Sequence, residues 1–137
     1  MKLAVRDRVN ELEQHMRQMP QIDIPVRHYF SPGIYARQVF IPADALVTGV
    51  TYKYPQINIL SQGKIRVAID DQIQSLEASY TVCSPAGVKR IAFAVTDVVW
   101  TTIVHTFLTD VAEIEKTFFA WTEQEYQDFL KERECQA

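Results

Sequence analysis

Between Ile24 and Thr106 the chain is a succession of short β-branched or aromatic runs: Ile34 to Ile41, Ile57 to Leu60, Lys64 to Ile69, Tyr80 to Cys83 and Val98 to Val104. Brief turn-forming segments part them, namely Ser31-Pro32-Gly33, Pro42-Ala43-Asp44, Ser61-Gln62-Gly63, Asp70-Asp71 and Pro85-Ala86-Gly87. Branched and aromatic side chains suit a pleated, half-buried surface, and Gly, Pro, Asn and Asp supply the turns. Many strands at such short intervals fit a β-sandwich or barrel and argue against alternating α and β units. No internal repeat or low-complexity segment interrupts them.

Both flanks read as helix. Val5, Val9, Leu12, Met16 and Met19 recur at steps of four, three, four and three, with charged residues between them. That spacing predicts an amphipathic helix over residues 1–20, ended at Pro20. After Thr106, Asp110 with Glu113 and Thr122 with Glu125 each form a capping-box pattern ahead of apolar positions, which predicts two closing helices. The expected organisation is a helix over 1–20, a barrel over 24–108 and a helical extension over 109–137, all within one compact domain. Phe118, Phe119 and Trp121 are expected to cover the barrel or form a dimer contact.

With 137 residues and 47% hydrophobic content, the chain can bury one core without staples. Its formal charge of -3 gives no basic excess for duplex nucleic acid or an anionic membrane surface. No stretch approaches the ~18 apolar residues of a membrane span, and the N-terminus lacks an apolar signal region. Cys83 and Cys135 form no Cys-x-x-Cys pair, which fits a reducing compartment. A cytoplasmic protein is expected.

The span from His28 to Thr106 resembles the cupin family, and especially small cupin-like proteins of bacteriophages and prophages. The matching segments are Pro32-Gly33-Ile34-Tyr35-Ala36-Arg37, Ile41-Pro42-Ala43, Thr48-Gly49, Ile57 to Gly63, Ser84 to Arg90 and Val99-Trp100-Thr101-Thr102. The resemblance implies an all-β core, a cupin-type double-stranded β-helix or jelly-roll barrel, with its site inside. It also implies a homodimer, to which the apolar stripe of the N-terminal helix adds support.

In metal-bearing cupins the first motif carries two histidines and a carboxylate, and the second adds a histidine. Carried over, these positions fall on Tyr52 and Tyr54, on Gln56, and on Arg90. A phenol must lose a proton of pKa about 10 before it binds a cation well, and a guanidinium offers no lone pair. No metal and no cofactor are therefore expected. His15, His28 and His105 show no chelating spacing and are expected to be structural.

If the strand were unbroken, Tyr52, Tyr54, Gln56 and Asn58 would share one face, although Pro55 puts that continuity in question. Trp100 shares strand parity with Thr102 and Val104, whereas His105 goes with Thr101 and Ile103; sequence does not say which set faces inward, so both remain candidates. A buried Arg90 would have to reach solvent, meet a carboxylate such as Asp97, or await an anionic ligand. The candidate ligand-binding residues are thus Tyr52, Tyr54, Gln56, Asn58, Arg90, Trp100 and His105. Phenols, amides and a guanidinium suit a small anionic ligand of nucleotide-like or sugar-phosphate type. For a phage-encoded protein this would be a sequestering role. Two alternatives stand beside it: a filled barrel acting as a structural or protein-interaction module, and an isomerase or epimerase using Tyr52, Tyr54 or His105 as acid–base groups.

Overall fold

A computed structural model describes residues 23–69 and 72–136. The expected N-terminal helix, with His15, and the Asp70-Asp71 turn lie outside the described residues. The strands run β1 Val26–Ser31, β2 Ile34–Ile41, β3 Leu46–Thr48, β4 Thr51–Tyr52, β5 Gln56–Gln62, β6 Lys64–Ile69, β7 Gln72–Glu77, β8 Tyr80–Ser84, β9 Ile91–Ala94 and β10 Val98–His105. Helix α1 (Val111–Phe118), strand β11 (Phe119–Ala120) and helix α2 (Glu123–Gln136) complete the chain. No helix among the described residues is long and apolar enough to cross a membrane.

Two antiparallel sheets face each other. One has the order β1-β2-β10-β5-β8 and the other β3-β9-β6-β7, while β4 pairs with β11 as a small third sheet. Two strands extend past what hydrophobic periodicity reveals. His28 and its neighbours lie inside β1, which pairs with β2 along its whole length, and β7, with its exposed Gln72, Gln74, Ser75 and Glu77, is an edge strand paired with β6. Edge strands need no apolar alternation on two faces, so their sequences read as loop. The C-terminal extension is likewise not a separate appendage: Phe119 pairs with Tyr52, so the segment after α1 completes one end of the barrel.

The core divides along the barrel. At one end Ile41, Leu60, Ile65, Ala94 and Val98 form an aliphatic cluster, and at the other Tyr35, Tyr52, Val104, Ile114, Phe118 and Phe119 pack beneath α1. The turn between β5 and β6 requires glycine. Gly63 has φ +94°, and a β-carbon there would collide with the Asp97 carbonyl and meet Thr96 Oγ1 at 2.7 Å.

Both helix starts follow their sequence signatures. Asp110 accepts from the backbone N–H of Ala112 (2.9 Å) and of Glu113 (3.4 Å), and Thr122 Oγ1 accepts from Glu125 N at 3.1 Å. The Glu125 carboxylate reaches one residue further back than a capping box requires, accepting from Trp121 N at 2.7 Å. This bond fixes Trp121 where β11 leaves the barrel. Asp110→Ala is expected to cost about 1 kcal/mol, the usual value of an N-cap, and to appear as a lowered urea midpoint with an unchanged slope.

Candidate functional site

Strand register builds the barrel interior in layers. On the five-stranded sheet, Thr102 lies between Arg37 and Asn58, Trp100 between Val39 and Leu60, and Val98 opposite Ile41. On the facing sheet, Ala92 lies between Val47 and Val67, and Ala94 opposite Ile65. Arg90 stands just before β9, where its carbonyl accepts from Gly49 N at 2.7 Å. The interior therefore grades from a polar layer, through Trp100 and valines, to an aliphatic end. Between the sheets is a cavity of about 330 Å³, lined by residues of all three layers. Trp121 also lines it and is 46% exposed, marking where the cavity meets solvent.

A continuous hydrogen-bond network lines the polar layer. Asn58, only 2% exposed, is its centre: Oδ1 accepts from Thr102 Oγ1 (2.6 Å) and Trp100 Nε1 (3.2 Å), and Nδ2 donates to Ser84 Oγ (2.8 Å). Ser84 Oγ also accepts from Arg90 Nη2 at 2.6 Å. The Arg90 guanidinium lies over the Trp100 ring, 5.9 Å from its centroid. Burial pulls its pKa below the ordinary arginine value, with Tyr80 opposing that effect; an arginine nonetheless stays charged. Asp97 is not its partner, because that carboxylate accepts from Ala43 N at 2.9 Å in a turn. Among the described residues no carboxylate forms an ion pair with Arg90.

Arg37 is the second cation on the cavity wall. It differs from Arg90 in being partnered: Nη1 lies 3.4 Å from Glu115 Oε1 of α1, and the guanidinium sits 5.2 Å from the Phe119 centroid. The Tyr52 phenol borders the same layer beside Thr102. Burial pushes its pKa up to about 12, against the smaller opposing effects of Thr102 and Arg37. A raised phenol pKa means the folded state holds its proton after the unfolded chain has released it. Stability is thus fully present below about pH 10 and is lost as pH rises toward 12. Ultraviolet titration of the phenols should show a late-ionising tyrosine that a Tyr52→Phe variant lacks.

Of the seven residues singled out from sequence, Tyr52, Asn58, Arg90 and Trp100 line the cavity, and Tyr54, Gln56 and His105 do not. Pro55 is the physical reason for the first exception. Strand β4 ends at Tyr52 and β5 begins at Gln56, so the bend between them frees Tyr54 from the inward face that Tyr52, Gln56 and Asn58 keep. Tyr54 turns outward and packs edge-on against Phe118 (5.6 Å) and Phe129 (5.4 Å), beneath the Arg133 guanidinium at 6.0 Å. Its work is to hold α2 against the barrel. Gln56 does face inward but lies beyond the cavity, its amide nitrogen donating to the carbonyl oxygens of Tyr54 (3.0 Å) and Ser84 (3.1 Å). His105 is exposed and stacks edge-on with Phe107, since the Trp100, Thr102 and Val104 parity is the inward one. His28 has its Nδ1 2.6 Å from the Tyr35 hydroxyl.

Sequence reasoning did not single out Arg37, Thr102, Ser84 or Trp121 as site residues. Arg37 carried a legible signal, because it shares strand parity with Tyr35, Val39 and Ile41, a face otherwise apolar. The polar set does not fit a divalent cation. A neutral phenol, an amide whose oxygen already accepts two hydrogen bonds and two guanidinium groups offer no anionic or imidazole donors, and no group of three His, Cys, Asp or Glu able to hold a metal exists among the described residues.

The architecture is that of a cupin β-barrel with flanking helices. A cupin superfamily protein of Desulfitobacterium hafniense superposes with TM-score 0.53 at 13% identity, over 64% of this chain and 82% of that one. KdgF from Halomonas sp. gives TM-score 0.53 at 18% identity, over 64% and 84%. An RmlC-like cupin of Shewanella frigidimarina gives 0.51 at 18%, over 65% and 85%. At such identities the likeness concerns the fold alone. No family model and no curated protein matches the sequence.

Proposed function

We propose that this barrel binds a small organic anion in its interior and holds it without transforming it. The observation that carries the reading is Arg90: a half-buried guanidinium, hydrogen-bonded to a neutral serine hydroxyl and lining a cavity of about 330 Å³. Partly burying a charge with no carboxylate partner among the described residues is costly, and an anionic ligand lowers that cost at the moment it binds. The cavity volume lies at the lower end of the roughly 300–1,000 Å³ typical of small-molecule sites, which argues against a filled barrel. Tyr52, kept protonated by burial, is a hydrogen-bond donor here and a poor general base. Binding without turnover suits a carrier or sequestering role.

A thermal-shift screen of organic acids, sugar phosphates and nucleotides tests this reading. A ligand present at 100 times its Kd adds about 2.7 kcal/mol of stability, which raises the melting temperature by several degrees. The stabilisation is expected from anions and not from their neutral counterparts. If no anion in the panel raises the melting temperature, the barrel is not an anion site.

A further inference from the structure

The geometry points to a monocarboxylate with an unbranched or flat hydrocarbon body as the ligand class, rather than a sugar phosphate or a nucleotide. This inference rests on the anion reading above and adds to it the chemistry of the ligand's other end. The interior is polarised along its axis. Polar groups gather at one end, where Thr102 bonds Asn58 and Asn58 joins Arg90 through Ser84, with Arg37, Tyr52 and Thr48 also on the wall. Beyond that end the cavity wall is Val39, Val47, Val67 and Ala92, and then Ile41 and Ile65. These side chains offer no hydrogen bond to a hydroxyl. A ribose or hexose placed there would bury several polar groups without partners, each at a cost, whereas methylene groups would gain from leaving water.

The polar layer itself has little donor capacity left for a polyol. Asn58 uses its carbonyl twice and its amide once within the network, and the Trp100 indole N–H and the Thr102 hydroxyl are both committed to it. Arg37 is held by Glu115. What is left over, beside the Tyr52 hydroxyl and one Asn58 amide hydrogen, is the remaining guanidinium face of Arg90, the only charged donor without a carboxylate partner among the described lining residues, and a guanidinium face matches one planar carboxylate in two parallel hydrogen bonds. The acid group is therefore fixed at Arg90, with the hydrocarbon body running past Trp100 toward the isoleucines.

Isothermal titration of the wild-type protein with the straight-chain acids from acetate to octanoate tests this directly and depends on no variant. Affinity should climb about fourfold with each added methylene until the aliphatic end is filled, then level off. Glucose 6-phosphate and uridine 5′-monophosphate should bind at least about tenfold more weakly than the best of the series, since neither can leave its hydroxyls unpartnered at no cost. Octanol should bind far more weakly than octanoate in the wild type and about as well as octanoate in Arg90→Met. A flat affinity across the chain-length series, or tighter binding of the phosphates, overturns the hydrocarbon inference and leaves the anion site standing. Octanol binding as tightly as octanoate in the wild type, or no binding by any acid, overturns both.

Discussion

Arg90→Met is expected to weaken binding of the anionic ligand by about a hundredfold or more while leaving the unliganded protein as stable as before or slightly more so. Removing one partner of a desolvated charge pair commonly costs about 2–5 kcal/mol in affinity, and this is the scale on which the loss should fall. The opposite sign for stability follows from the free state. There the half-buried guanidinium has lost part of its hydration, the same burial that lowers its pKa, and gains in return a hydrogen bond to a neutral acceptor and a contact with Trp100. Replacing a poorly compensated buried charge with an apolar side chain of similar length is often neutral or stabilising. Methionine keeps the contact with the indole ring. Ser84 Oγ loses one donor yet retains the one from Asn58 Nδ2, so no buried acceptor is orphaned. Titration calorimetry and thermal melts on the same samples read both quantities. An unchanged Kd removes Arg90 from the site, and a large fall in stability makes it a structural residue.

The same physics explains how far the sequence could be read. Strands that bury one face against a core carry a visible period, and Ile34–Ile41 and Lys64–Ile69 are found with the bounds their side chains announce. Strands β3, β4 and β9 are two to four residues long, too short for any period to register. The edge strand β7 exposes nearly every side chain, so nothing in its composition separates it from a loop. Within the site, the limits are those of register. Alternation places Trp100 and Thr102 on one face, but only the pairing of β10 with both β2 and β5 brings Thr102 between Arg37 and Asn58. Residues more than forty positions apart in sequence are joined by hydrogen bonds that no local pattern encodes. Tyr54 is the instructive failure: one proline breaks the strand at its side, and a residue expected beside Tyr52 becomes the clamp for α2. Trp121 reads from sequence only as an aromatic covering the barrel or a dimer contact, since its place at the cavity mouth depends on β11 pairing back onto β4.

Asn58 supplies the second large expected effect, because two substitutions that keep its branching at Cγ should fail in opposite ways. Asn58→Leu removes three hydrogen bonds at once and leaves the Thr102 hydroxyl, the Trp100 indole N–H and Ser84 Oγ facing an apolar side chain. Buried polar groups deprived of partners cost about 1–3 kcal/mol each; with Thr102 still beside Tyr52 and Ser84 still bonded to Arg90, a net loss of about 3 kcal/mol is expected, or roughly 10 °C in melting temperature. Asn58→Asp keeps the shape and both acceptor bonds. The Ser84 hydroxyl, whose oxygen already accepts from Arg90, can turn its own proton toward the new carboxylate in place of the lost amide donor. The barrel should stay folded, yet Arg90 now has an internal counter-charge one serine away, and an external anion no longer meets a cation without a carboxylate partner among the described residues. Affinity should then fall about as far as in Arg90→Met, with the loss recovering as pH is lowered far enough to protonate the introduced carboxylate. Retained anion affinity in Asn58→Asp at neutral pH would mean that ligand recognition does not run through Arg90 and the network that holds it.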